Sequence, residues 1–79
     1  MYKKFLENIE EYCRKNVGEK VLFTVFMSKW PKDDKIDHKN LAILTSKALN
    51  YFENKGIVKE IRKSEEFYNP YPMYEIQTR

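Results

Sequence analysis

The stretch Ser46-Lys-Ala-Leu-Asn-Tyr-Phe-Glu-Asn-Lys-Gly-Ile-Val-Lys-Glu-Ile-Arg62 changes its hydrophobic period part-way along. Before Gly56 the apolar residues recur at helical spacing, whereas after it a short run reads as a strand. Glycine tolerates the left-handed backbone that ends many helices, so Lys55-Gly56 is a stop. Working backwards, Asp37 is a good N-cap, and the spacing predicts a helix over 37–54. Leu41, Leu44, Ala48, Tyr51 and Phe52 project from one side of it. Lys39, Ile43, Ser46, Lys47, Asn50 and Asn54 project from the other. Working forwards, strands are expected over 57–63, with Ile57 and Ile61 on one face, and over 73–78, with Tyr74 and Ile76 on one face. Residues 64–72 carry Pro70 and Pro72 and are too many for a tight turn, so they read as a projecting hairpin loop.

The N-terminal half supplies partners for this unit. Tyr2, Phe5, Leu6, Ile9, Tyr12 and Cys13 fall on one side of an amphipathic helix over 2–16, and Asn16 and Gly18 end it. Residues 19–30 are rich in Val, Phe and Thr and fit either a strand or a buried helix. A helix is expected there, because the first helix needs a partner for its apolar stripe. Residues 31–37 are then a polar connector behind Pro31. The fold class expected is α+β, mainly α: a three-helix core followed by a two-stranded β-hairpin, all within one domain over 1–79.

Composition narrows the function. With 79 residues, the chain has room for one small core and no second. One Cys and one His cannot supply the four ligands of a structural zinc site, and no phosphate-binding loop or HExxH helix occurs. Cys13 and His38 are the only conceivable nucleophile pair, but Cys13 occupies an apolar helical position and reads as a core residue. An enzyme is therefore not expected, and neither is a cofactor or a metal. No stretch resembles a signal peptide, and the longest apolar run, 21–27, is far shorter than the ~20 residues of a membrane span. A cytoplasmic protein is expected.

Phe52-Glu-Asn-Lys-Gly-Ile-Val58, following a polar-faced helix and preceding a charged strand, resembles the winged helix-turn-helix DNA-binding domains of small transcriptional regulators. The likeness covers residues 37–79, and residues 1–36 agree with it in the number and character of their elements. It implies double-stranded DNA as partner, the helix over 37–54 in the major groove, the hairpin as a wing against the flanking backbone, and a homodimer reading two half-sites. Charge placement points the same way. Residues 37–63 hold six Lys or Arg against Asp37, Glu53 and Glu60, which accounts for the whole excess of +3.

Roles follow from chemistry. Asn50 suits adenine, Lys47 suits guanine or phosphate, Ser46 can bond to either, and Lys39 can reach the same groove. Ile43 is apolar amid these groups and fits a thymine methyl or a partner chain. Lys59, Arg62 and Lys63 are expected to clamp phosphates, although a charged edge strand that blocks unwanted pairing has the same composition. The expected wing departs from the resemblance, since Glu65 and Glu66 stand where basic residues are usual, beside Phe67, Tyr68 and Tyr71. These aromatics either fold back onto the core or meet a protein. The expected function is sequence-specific DNA binding, as a regulator or a plasmid or viral partition or replication factor. The alternative is a winged-helix protein-interaction module using the aromatic loop.

Overall fold

Apolar residues at three- and four-residue intervals give the first helix, α1 (Tyr2–Lys15), its buried face of Phe5, Ile9 and Cys13. Tyr2, Leu6 and Tyr12 pack at the margins of that face. Its outer face carries Glu10–Arg14 and Glu11–Lys15 pairs at 3.8 and 3.5 Å, exposed contacts worth about 0.3–0.5 kcal/mol each. Asn16 closes the helix by donating from its side-chain amide to the Tyr12 carbonyl at 2.8 Å. Gly18, at φ +90°, then turns the chain, and its N–H donates to the Ile76 carbonyl at 2.8 Å. The computed structural model describes residues 1–62 and 71–77.

Residues 19–30, expected as one helix, divide into β1 (Lys20–Leu22) and α2 (Phe23–Met27). β1 forms because it pairs antiparallel with a strand far along the chain, setting Val21 opposite Tyr74. Leu22 keeps an extended backbone, and from Phe23 onward helical spacing buries Phe23, Phe26 and Met27. Trp30 follows, edge-on to Phe5 at 5.1 Å, and its indole N–H donates to the Asp34 carbonyl at 2.8 Å. That bond ties down the connector before α3 (His38–Asn54).

The remaining strands are β2 (Val58–Arg62) and β3 (Met73–Ile76). The sheet is antiparallel with order β1-β3-β2, so the expected two-stranded hairpin gains a third strand. Tyr74 and Ile76 face inward as expected. Ile61 does not. The β2 register opposes Val58 to buried Ile76, so Ile61, three residues on, falls on the outer face at 40 % exposure, and the pairing slips between Glu60 and Arg62. Ile57 does enter the core, but from the turn ahead of β2, and Val58 carries the strand's inward face.

The helices cover one face of this sheet. Phe26 lies at the centre, with the rings of Tyr12 and Tyr74 edge-on at 6.1 and 6.0 Å. Phe5, Ile9, Leu49, Val58 and Ile76 belong to the same buried cluster, with almost no exposure. The architecture is a small α+β fold, mainly helical, and among the described residues no helix is long and apolar enough to cross a membrane.

Candidate nucleic-acid interface

Both ends of α3 are fixed by local chemistry. At the start, the Asp37 carboxylate accepts from the Asn40 backbone N–H at 3.3 Å and from its side-chain amide at 2.6 Å. These donors, the side-chain amide first, hold the Asp37 carboxyl below its usual range. At the end, Gly56 adopts φ +77°. Its N–H donates to the Glu53 carbonyl at 3.0 Å, and the Ile57 N–H donates to the Phe52 carbonyl at 2.9 Å. This is a Schellman closure, in which buried Phe52 and Ile57 supply the accompanying apolar contact.

The inward face of α3 carries Thr45, Ala48, Leu49 and Phe52. Thr45 is completely buried, and its hydroxyl is satisfied by donating to the Leu41 carbonyl at 2.7 Å. The core stripe is thus rotated towards Thr45 and Leu49, and Tyr51, expected inside, is 45 % exposed. The opposite face is open. Lys39, Ile43, Ser46, Lys47 and Asn50 are all exposed on it, Ile43 at 56 %.

Lys59 is exposed on β2, in register with Glu75, whose other neighbour is Lys20 on β1. The Glu75 carboxylate accepts from the Gln77 amide at 3.2 Å. Among the described residues the ion pairs lie on α1, so Lys39, Lys47 and Lys59 have no carboxylate partner. The backbone of Arg62 ends β2 opposite Met73. Lys63, together with Glu65, Glu66, Phe67 and Tyr68 of the expected wing, lies outside the described residues.

Tyr71, expected in the projecting loop, packs back against the helices. Its ring stacks on Phe23 at 5.5 Å and 6°, and its hydroxyl lies 3.1 Å from His38 Nε2. The Phe23 N–H also donates to the Pro72 carbonyl at 3.1 Å. The start of β3 is therefore fastened to α2 and to the first residue of α3. This arrangement also separates His38 from Cys13. His38 is exposed and engaged with Tyr71, whereas Cys13 is buried and its thiol is pushed up to about 11, by burial first and Glu10 second.

Two aromatic residues flank the open face of α3, and the sequence reading gave neither a part in it. Lys47 Nζ lies 5.7 Å from the centre of the Tyr2 ring, and Lys55 Nζ lies 5.0 Å from that of Tyr51. The available signal was the four-residue spacing of Lys47, Tyr51 and Lys55. On the other flank of α1, an open groove of about 390 Å³ runs between Asn8, Tyr12, Lys15 and the segment 28–32. Its polar groups are largely engaged: the Asn8 amide donates to the Lys29 carbonyl at 2.9 Å, and Lys29 Nζ caps the Tyr12 ring at 4.0 Å.

No protein-family model, curated protein or solved structure matches the chain. What the chain does must be argued from its own surface.

Proposed function

We propose that the chain is a double-stranded DNA-binding module of the winged helix-turn-helix type, with α3 in the major groove and the β2–β3 hairpin along the flanking backbone. One observation carries the reading. A helix capped at both ends and held by its buried side presents amines, an amide, a hydroxyl and one isolated apolar side chain together on its open side. Lys39 and Lys47 supply charge that no carboxylate among the described residues pairs with, and Lys59 adds a further amine from β2. Asn50, Ser46 and Ile43 provide the donor, acceptor and methyl contacts that base edges require.

Topology supports the same proposal. Three helices precede the β2–β3 pair in the chain, the order the resemblance implies, and β1 against β3 is an addition to it. One feature is less typical: α2 is short and the connector over 28–37 is longer than a helix-turn-helix turn. Recognition therefore rests on α3 and the hairpin rather than on a tight α2–α3 pair. A symmetric homodimer extends the reading to two half-sites. Tyr71 is committed to Phe23 and His38, which removes one of the three aromatics from the protein-interaction alternative.

Salt titration of binding to a mixed-sequence duplex tests the proposal. Engagement of about four phosphates predicts a ~100-fold loss between ~50 and ~200 mM salt. Lys47→Glu should abolish binding while leaving the unfolding midpoint unchanged, since Lys47 is exposed. Absence of duplex binding at low salt would overturn the reading. Selection of bound fragments from a random duplex pool then separates sequence-specific recognition from general affinity.

A further inference from the structure

We infer that the DNA surface extends from α3 onto α1, and that Tyr2 and Tyr51 form a ledge whose hydroxyls grip the sugar–phosphate backbone beside the reading face. This inference rests on the DNA-binding proposal above. It assigns to α1 a contact role in addition to its role in the core.

Four side chains build the ledge. Tyr51 projects from α3 with 45 % of its surface exposed, one helical turn beyond Lys47 and one turn before Lys55. Lys47 Nζ leans over Tyr2 at 5.7 Å, and Lys55 Nζ over Tyr51 at 5.0 Å. Tyr2 sits at the first turn of α1, half-buried, with its ring 6.5 Å from that of Phe5. Burial first, and the Tyr51 phenol second, raise the Tyr2 hydroxyl above its ordinary value. Two cations and two hydroxyl donors are thus grouped at one margin of α3. Phosphate oxygens recruit such a set, because they accept from tyrosine hydroxyls as readily as from amines.

The geometry also divides the labour along α3. Lys47 leans towards Tyr2, at the border between the two helices. Its ammonium belongs with the backbone-gripping group, which leaves Ile43, Ser46 and Asn50 to read base edges. Aromatic rings beneath the ammonium groups favour this assignment further. They hold the lysines in place before DNA arrives, and preorganised groups lose less freedom on binding.

Tyr2→Phe and Tyr51→Phe remove only the hydroxyls and preserve the rings under the lysines. Each variant should bind a mixed-sequence duplex roughly tenfold more weakly, the worth of one hydrogen bond to a charged oxygen. The loss should be equal across sequences, and the slope of affinity against salt should stay unchanged, because a phenol displaces no counterion. Lys47→Met, by contrast, should reduce that slope by about one. Circular dichroism melting of both Phe variants checks that the fold is intact. Wild-type affinity in both variants, with the salt dependence of the parent retained, would overturn the ledge and leave the DNA reading standing. Failure of the wild-type chain to bind duplex at low salt would remove both.

Discussion

Gly56 joins α3 to the sheet through a backbone conformation that side chains resist. At φ +77° an added Cβ meets no atom within 4 Å, so substitution acts on the backbone and not on packing. Gly56→Ala should therefore cost about 1–2 kcal/mol in chemical denaturation, the price of a left-handed residue with a Cβ. Space around the site gives no reason for a larger loss. This residue was legible in advance because glycine after a helical run, followed by an apolar pair, has one economical explanation. Tyr51 was not. Its apolar character suggested the core, but the stripe is centred between Thr45 and Leu49, and the small, satisfied Thr45 takes a fully buried place. A polar residue that bonds back to its own helix is invisible to hydrophobic periodicity.

At the scale of elements, helices were easier to read than strands because a helix is stabilised within its own segment and a strand is not. The open face of α3 could be projected from residue spacing alone, and Lys39, Ile43, Ser46, Lys47 and Asn50 emerge there together. β1 depends on β3, at the other end of the chain, and no local window contains that partner. The register makes its existence testable. Cross-strand nuclear Overhauser contacts should link residues 20–22 with 73–75, and the amides of β3, paired on both sides, should exchange more slowly than those of β1. A continuous helix over 19–30 would give neither result. The outward Ile61 has the same origin: pairing with β3 makes Val58 the inward residue, so alternation puts Ile61 outside, whereas a strand phased from Ile57 had grouped the two isoleucines on one face.

At the scale of the whole molecule, elements from both ends of the sequence share one core, and two weak acids lie within it. Cys13 on α1 has its thiol pushed up from 9.0 to about 11, mainly by burial, with Glu10 adding to it. Tyr74 on β3 is pushed up from 10.0 to about 12, again by burial first, with Glu60 and Glu53 opposing the phenolate. Glu60 stands directly across from Tyr74 in the register, so this repulsion is built into the sheet. Both groups bind their protons more tightly folded than unfolded. Their contribution is therefore complete below pH 9, declines as the unfolded chain begins to ionise, and is gone once the folded values are passed near pH 11 and 12. Unfolding free energy measured by urea titration should accordingly fall between pH 9 and 12. Tyr74→Phe should flatten that fall above pH 10, and Cys13→Ala should flatten it from pH 9. The Ala variant leaves a small cavity, so the comparison is of slopes and not of absolute stability. A double variant that declines as steeply as the parent would place the alkaline sensitivity outside the core and leave these two acids without the energetic role their burial assigns.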